Sequence, residues 1–252
     1  MIGALVLAAA VQIQASDFAL SLPAQVPAGV TTFAFVNKGA EPHSVRFLQL
    51  GAGKSFDDFV AWQKSGSPIP EWLVTVGGVG SVAPGMSEEY ITSLAAGSYV
   101  VLCSYPSPDG TVHSSKGMYA ALRVGPAASE EKAPSDPDLN LRLHDHGFQL
   151  SAPIEGGRKL WRVENTGSDA HQVLIIHLPE GVSEYQERGW FSGGSKGPRP
   201  GVPVGGVIEI PPDGEAWFRS DLKPGRYLLL CSVQEEEGRH YDLGMIYRFT
   251  VE

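Results

Sequence analysis

Cysteine and methionine are scarce in this chain, which has two cysteines and four methionines among its 252 residues. Runs of Lys and Arg are absent, and the formal net charge is −9. Because a nucleic-acid surface needs clustered cations to neutralise phosphates, the sequence argues against nucleic acid as a partner. GxSxG, P-loop and GxGxxG motifs are missing as well, so the common hydrolase and nucleotide-binding classes find no support.

Hydrophobic runs long enough for a membrane-spanning helix, about 20 residues, are also lacking. The stretch MIGALVLAAA (1–10) is apolar but carries no Lys or Arg. It is similar to a secretory signal without its basic start; the alternatives are a buried first strand or a wrong start site. We expect an exported protein, periplasmic or extracellular, with residues 1–10 as a possible truncated leader and no membrane span in the mature chain.

What the sequence does contain is a repeat of itself, displaced by 128 residues. The register holds without a gap up to the two cysteines and then loses one residue. The segments that match are VNKGAEPHSV (36–45) with ENTGSDAHQV (164–173), AAGSYVVLCS (95–104) with KPGRYLLLCS (223–232), and HSSKGM (113–118) with HYDLGM (240–245). A fixed offset that also matches the rarest residues predicts two copies of one domain.

These copies set the predicted domain limits. The first domain is expected at residues 11–125 and the second at 137–252. Residues 126–136 between them are rich in Pro, Ala, Ser and acidic side chains, which is typical of an exposed linker.

Each copy has the pattern of short β-strands. Apolar or alternating runs such as TTFAFVN and SYVVLC are separated by turns such as NKG and AAG, which indicates a β-sandwich. One short helix per copy is predicted, because Ser55 precedes Asp58 by three residues and Ser183 precedes Gln186 likewise. The repeated VGGV segments (76–79 and 204–207) are interpreted as turns.

Four side chains with metal-binding atoms recur at matched positions of the two copies. They are His43, Cys103, His113 and Met118 in the first copy, and His171, Cys231, His240 and Met245 in the second. Two imidazoles, one thiolate and a weak axial thioether are the ligands expected of a blue-copper (type 1) electron-transfer site. One His comes from an early strand end and the other three residues from a single late loop. The sequence therefore predicts a metal site in each copy.

Through these segments each copy resembles the cupredoxins, the family of plastocyanin, azurin and sulfocyanin. The resemblance rests on N-x-G-x-x-x-H, G-x-Y-x-x-x-C and H-x(4)-M, and it covers nearly all of both predicted domains. It implies two tandem Greek-key β-sandwiches, each with a short helical insertion. It also implies one copper ion per domain, held by the eight residues named above, with His113 and His240 as the imidazoles at the exposed edge.

One departure from compact cupredoxins concerns the loop between the Cys and the second His. This loop has nine residues in the first copy (104–112) and eight in the second (232–239), which is longer than in compact members. We expect the PDG segment at 108–110 to fold the surplus outward as a turn. The alternatives are a site of altered geometry and a site that no longer binds metal.

The predicted function is single-electron transfer by copper, with an unidentified redox partner protein. Leu and Ser flank both cysteines, so the His that copper nitrite reductases and multicopper oxidases place beside the Cys is absent, and we predict that the chain is not an enzyme. The alternatives are a non-redox copper carrier and a metal-free scaffold or interaction module.

Three minor interpretations complete the prediction. His144 and His146 in LHDHGF are expected on one strand face as a surface pair, the alternative being an interdomain copper site of an oxidoreductase. The acidic run Glu235–Glu237 is interpreted as a solvated face, the alternatives being tuning of the second site and docking of a cationic partner. A disulfide between Cys103 and Cys231 would require their Cα atoms to lie within about 7 Å.

Overall fold

The computed structural model describes residues 10–127, 132–192 and 198–252. Residues 1–9 of the predicted leader and residues 128–131 of the predicted linker lie outside this part. The described residues form sixteen β-strands and two α-helices, which confirms the all-β fold class with a short helical insertion in each copy. We call residues 10–127 the first half and residues 132–252 the second half.

The elements of the two halves follow one another in the same order. The first half contains β1 (Val11–Ser16), β2 (Ala19–Ser21), β3 (Gln25–Asn37), β4 (His43–Leu50), α1 (Phe56–Ser65), β5 (Leu73–Val82), β6 (Ser87–Leu94), β7 (Gly97–Leu102) and β8 (Tyr119–Ala127). The second half contains β9 (Leu139–His144), β10 (Gly147–Leu150), β11 (Gly157–Asn165), β12 (His171–Leu178), α2 (Glu184–Ser192), β13 (Val202–Ile210), β14 (Glu215–Leu222), β15 (Gly225–Leu230) and β16 (Ile246–Val251). The strands predicted from alternation are therefore present in both copies.

Each half is a sandwich of two sheets. In the first half β1, β2, β3 and β6 form one sheet, while β4, β5, β7 and β8 form the other. The second half repeats this division with β9, β10, β11 and β14 against β12, β13, β15 and β16. Side chains alternate along the strands, so Phe33 and Phe35 of β3 are fully buried while Ala34 between them is partly exposed.

The two halves join through equivalent strands. Strand β5 pairs antiparallel with β13, and β6 pairs antiparallel with β14, so both sheets continue from one half into the other. Tyr90 lies opposite Phe218 in the second of these pairs, and Phe218 is its counterpart in the repeat. The ion pair of Arg46 with Glu209, with an N–O distance of 2.7 Å, also crosses between the halves.

The interpretation of the VGGV segments as turns is wrong, because they lie inside β5 and β13. The reason is the close approach of neighbouring backbones. A β-carbon on Gly78 would lie 1.9 Å from the carbonyl oxygen of Val45, and one on Gly206 would lie 1.9 Å from that of Val173. Only glycine fits at such positions of a strand, so these glycines mark strand contacts.

Both predicted helices begin at the predicted residues. Ser55 accepts a hydrogen bond from the backbone N of Asp58 at 3.2 Å, and the carboxylate of Asp58 accepts one from the backbone N of Ser55 at 2.8 Å. Ser183 and Gln186 make the same reciprocal contacts ahead of α2. This reciprocal capping satisfies two backbone donors that have no partner inside the helix. Within the described residues, neither helix is long and apolar enough to cross a membrane.

Candidate metal centres

The early His of each half is placed by the N-x-G segment before it. Asn37 ends β3 and donates from Nδ2 to the carbonyl oxygens of Glu41 and Val82, at 2.9 and 3.0 Å. Its Oδ1 accepts from the backbone N of Gly39 at 2.8 Å. These three bonds fix the turn that leads to His43, the first residue of β4, and the same bonds recur in the second half.

The late His and the Cys are placed by the loop after β7. Cys103 directly follows that strand, and its backbone N donates to the carbonyl oxygen of Met118 at 3.1 Å. The surplus loop residues form a small hairpin, with a bridge between Pro106 and Val112 and exposed residues at 108–112. The expectation that the PDG segment folds the surplus outward is therefore met, and the long loop does not separate Cys103 from His113.

Three of the four predicted donors converge in the first half. Nδ1 of His43 lies 3.0 Å from Nδ1 of His113. The Sγ atom of Cys103 lies 3.5 Å from Nδ1 of His113 and 3.8 Å from Nδ1 of His43. All three side chains are completely buried.

The second half repeats this cluster. Nδ1 of His171 lies 2.9 Å from Nδ1 of His240, and Sγ of Cys231 lies 3.4 Å from Nδ1 of His240. The three residues are completely buried, and their donor atoms lie within 4.8 Å of one another. Among the described residues, the two cysteines are free, so the alternative of a disulfide between them is excluded.

The two methionines are buried beside these clusters. Met118 and Met245 have no exposed surface, and each backbone N donates to the carbonyl oxygen of the late His, at 3.0 and 2.8 Å. Their main chains are therefore tied to the clusters. The role of their thioethers as fourth ligands stays a prediction.

The expectation that His113 and His240 lie at an exposed edge is wrong, because both rings are completely buried. Carboxylates and aromatic rings cover their outer edges. Glu41 accepts from Nε2 of His113 at 3.0 Å, and the ring of Phe18 stands edge-on with a centroid distance of 5.2 Å. In the second half Glu235 binds Nε2 of His240.

Carboxylates also bind the early imidazoles. Nε2 of His43 lies 3.0 Å from Asp17, and Nε2 of His171 lies 3.1 Å from Asp145. The sequence analysis missed both Asp residues, although they occupy matched positions of the repeat. The glycine of the N-x-G segment makes room for this contact, since a β-carbon on Gly39 would lie 2.5 Å from Nε2 of His43.

This hydrogen bonding fixes which ring nitrogen carries the proton. An ionised carboxylate can only accept, so each Nε2 beside one acts as the donor, and each neutral ring presents a lone pair at Nδ1. In both halves two such lone pairs face each other at about 3 Å, with a sulfur beside them. Lone pairs at this distance repel each other unless a cation lies between them. The donor set therefore fits a metal ion.

The pKa values of the ligand candidates agree with this arrangement. Burial lowers the pKa of His43, of His113 and of His171, which keeps these rings neutral and able to bind metal. Burial raises the pKa of Cys103 and raises the pKa of Cys231 to about 12. Each thiol thus holds its proton until a cation replaces it.

The Asp residues beside the early imidazoles are ionised. Burial alone would raise the pKa of Asp17, but hydrogen bonds from the backbone of Ala40 and from His43 outweigh it, and the pKa is lowered. Asp145 behaves in the same way: burial opposes its ionisation, and hydrogen bonds from His171 and Ser168 lower its pKa overall. These carboxylates can therefore hold the imidazoles in one tautomer and one orientation.

The two sulfurs differ in their hydrogen bonds. The backbone N of Ser44 donates to Sγ of Cys103 at 3.3 Å, and the Ser44 hydroxyl lies 3.7 Å from the same sulfur. Sγ of Cys231 accepts from the backbone N of Gln172 at 3.4 Å. The side chain of Gln172 binds the Ser232 hydroxyl instead.

One cavity adjoins both clusters. A space of about 480 Å³ between the halves is lined by the residue after each early His and the residue after each Cys. These four residues are Ser44, Ser104, Gln172 and Ser232. The main chain next to either His–Cys–His cluster therefore borders a shared cleft.

His144 and His146 do not share a strand face. His144 is the last residue of β9 and is exposed, whereas His146 lies in the following turn with φ 62°. The turn reverses the chain, so the alternation assumed from the sequence ends at His144. His146 contacts the second cluster, with its ring centroid 5.5 Å from that of His240.

Comparisons with known proteins give matches to solved structures alone, since no family model and no curated protein matches the chain. A reduced auracyanin from Roseiflexus castenholzii is 24% identical, covers 46% of this chain and 95% of its own, and has a TM-score of 0.33. A multicopper oxidase is 17% identical, covers 96% of this chain and 87% of its own, and has a TM-score of 0.28. A copper nitrite reductase from Nitrosomonas europaea is 12% identical, covers 96% of this chain and 93% of its own, and has a TM-score of 0.27.

The resemblance to cupredoxins is confirmed at the level of the fold by the two sandwiches and by the order of the donors along each. The prediction that the chain is not an enzyme is contradicted, because the structures that match 96% of it include an oxidase and a reductase. That prediction depended on the absence of a His beside each Cys. Such an absence excludes one arrangement of a second copper ion and does not exclude enzymatic activity.

Proposed function

We propose that this chain binds one copper ion in each half and transfers single electrons. The observation that carries the proposal is the pair of Nδ1 atoms that lie about 3 Å apart in each half, with a buried thiol beside them. Two imidazoles and one thiolate are the strong ligands of a blue-copper site. Copper bound there would alternate between Cu(II) and Cu(I).

The ligands in this proposal are the eight residues predicted from the repeat. His43, His171, His113 and His240 would each bind through Nδ1, Cys103 and Cys231 through their thiolates, and Met118 and Met245 as weak axial ligands. The carboxylates on the outer edges of the rings fix their orientation before the metal arrives. Burial excludes water, so the site changes little when the charge of the metal changes.

The route of the electron in this proposal begins at the thiolates. Both late imidazoles are buried, so neither offers a solvent-exposed edge to a partner. The residues directly after the two cysteines, Ser104 and Ser232, line the same cleft between the halves. We infer that the two centres exchange electrons across this cleft and that a redox partner protein approaches at its mouth.

The remaining parts of the proposal come from the sequence. We retain residues 11–125 and 137–252 as the two domains and residues 126–136 as their linker. We also retain export of the chain, to the periplasm or the outside of the cell, with residues 1–10 as a leader.

A titration of the purified, reduced protein with Cu(II) tests the function. We expect an intense visible charge-transfer absorption that saturates at two copper ions per chain. Cys103→Ser and Cys231→Ser should each remove the contribution of one centre, and the double variant should remain colourless. Electron transfer is then measured by reversible bleaching and recovery with a chemical reductant and oxidant. A wild-type protein that binds copper without this colour would contradict the proposal and favour a non-redox carrier.

A further inference from the structure

The second half has a third imidazole beside its buried cluster. The ring of His146 stands edge-on to that of His240, at an interplanar angle of 74°. Nε2 of His146 lies 3.8 Å from Oε2 of Glu235, and Oε1 of the same carboxylate binds Nε2 of His240. The donor atoms of these three residues all lie within 4.8 Å of one another. This group faces outward, whereas the cluster with Cys231 faces inward.

The backbone directs His146 toward this point. It adopts φ 62° in the turn between β9 and β10, and its counterpart Phe18 adopts φ 51° in the turn between β1 and β2. Phe18 contacts the late His of its own half in the same edge-on geometry, at 5.2 Å and 74°. Left-handed backbone is unusual for such residues, so both turns are held in one shape by the fold. The second half thus has a nitrogen donor where the first has a ring that can only pack.

The carboxylate of this group comes from a loop with a defined shape. A bridge between Gln234 and Arg239 closes the loop after Cys231, and the backbone N of Glu235 donates to the carbonyl oxygen of Gly238 at 2.9 Å. In the first half the corresponding carboxylate, Glu41, comes from the segment before β4 instead. The repeat therefore does not explain why Glu235 lies between two imidazoles.

We propose that His146, Glu235 and the outer edge of His240 form a second cation site that binds Zn²⁺. Two imidazole nitrogens, one carboxylate and a free position for water are a common ligand set for zinc. Nitrogen donors of this kind select Zn²⁺ over Mg²⁺ or Ca²⁺, which prefer oxygen. The side chains of His146 and Glu235 are 35% and 23% exposed, so the ion can enter from solvent.

Binding of the ion requires a proton to leave. In the free protein the Nε2–H group of His240 donates a hydrogen bond to Glu235. Zn²⁺ would replace this proton, which passes to the buffer, and with copper at Nδ1 the ring would bridge the two ions as an imidazolate. The ring then faces Zn²⁺ through Nε2 and the inner cluster through Nδ1. This convergence of donors does not depend on copper in the inner cluster, so the inference goes beyond the proposed function and stands apart from it.

The test counts metal ions on the full-length protein. The chain is loaded with Cu(II), freed of excess metal and dialysed against Zn²⁺, and both metals are measured by elemental analysis. We expect one Zn²⁺ per wild-type chain at unchanged copper content, and none in His146→Phe, which copies the residue of the first half. His144→Phe is the matched control, because that exposed residue lies outside the group and should leave zinc uptake unchanged.

A spectroscopic readout separates the outer site from adventitious zinc. In a Cys103→Ser background, Zn²⁺ should shift the charge-transfer absorption of the remaining copper centre, and His146→Phe should abolish this shift. Equal zinc content in wild type and His146→Phe overturns the proposal, as does zinc uptake that displaces an equal amount of copper.

If the protein forms no coloured copper centre, the proposed function fails while the outer site is still measurable. The metal-free chain is then saturated with Zn²⁺, which the inner clusters can also bind. The expected result is one Zn²⁺ fewer in His146→Phe than in wild type. A difference of zero overturns the outer site.

Discussion

Val79 pairs with Val207 across the boundary of the two halves, and these residues are counterparts in the repeat, 128 positions apart. Tyr90 and Phe218 are related in the same way in the other sheet. When counterparts pair antiparallel with each other, an approximate twofold axis passes between them. The duplicated chain therefore makes an interface like that of a symmetric dimer within one polypeptide.

The close approach at this axis predicts that Gly80→Ala destabilises the protein. A β-carbon on Gly80 would lie 2.7 Å from the carbonyl carbon of Gly205, and backbone cannot move aside as a side chain can. We expect a loss of about 1–3 kcal/mol in the free energy of unfolding, measured by denaturant titration. Gly189→Ala in α2 is the control, since its methyl meets nothing within 4 Å and should be neutral or stabilising. Equal stability of the two variants would contradict the close packing of the halves.

A buried carboxyl at the same interface predicts a pH dependence of stability. Glu88 is 4% exposed and accepts from the backbone N of Gly206 at 2.9 Å. Burial raises the pKa of Glu88 well above its ordinary value of 4.5. As the pH rises above that value, the unfolded chain loses this proton while the folded chain keeps it, so folding becomes less favourable.

Replacing this carboxyl should remove that pH dependence. Glu88→Gln should match wild type near pH 4 and be more stable at pH 7, by about 1.4 kcal/mol for each unit by which the pKa is raised. Thermal unfolding across this pH range measures the difference. Glu71→Gln is the control, because the side chain of Glu71 is exposed to solvent and this variant should keep the wild-type difference between pH 4 and pH 7. A Glu88→Gln variant whose pH profile parallels that of wild type would rule out a raised pKa.

The unequal hydrogen bonds to the sulfurs predict an effect on the first centre alone. The Ser44 hydroxyl lies 3.7 Å from Sγ of Cys103, whereas the side chain of Gln172 binds Ser232. A donor directs positive charge at the sulfur and favours the reduced state, which carries one more electron. Ser44→Ala should therefore lower the reduction potential of the first copper centre in a redox titration. Gln172→Ala should leave that of the second nearly unchanged, and equal shifts would refute this explanation.

The carboxylates behind the early imidazoles predict losses of copper affinity that are confined to one half. Asp17→Ala should weaken binding at the first centre about 10–100-fold, because the ring of His43 loses its orientation. Asp17→Asn keeps an acceptor for Nε2 and should lose less. Competition with a copper chelator in a Cys231→Ser background isolates this centre. Asp145→Ala in a Cys103→Ser background should give the reciprocal result, and unaltered affinity in both would exclude an orienting role.

The sequence by itself determined the duplication, the strands, the helix starts and the identity of the converging donors. Each of these features depends on interactions between residues close in the sequence, so a local sequence pattern can predict it. Alternation records which face of a strand is buried, and the capping residues Ser55 and Ser183 record where a helix begins. The two His residues and the Cys occupy equivalent positions of the repeat. Because the two copies share one fold, convergence of these side chains in one half implies the same convergence in the other half.

The tertiary structure alone decided how the halves join, what covers the late imidazoles and where His146 lies. The VGGV segments contact other strands, and the same letters would suit a turn, because glycine permits both. Glu41 and Glu235 reach equivalent imidazoles from different elements, so no common spacing identifies them. These features depend on contacts between residues that are distant in the chain. Such contacts form only when the chain folds, so a local sequence pattern does not predict them.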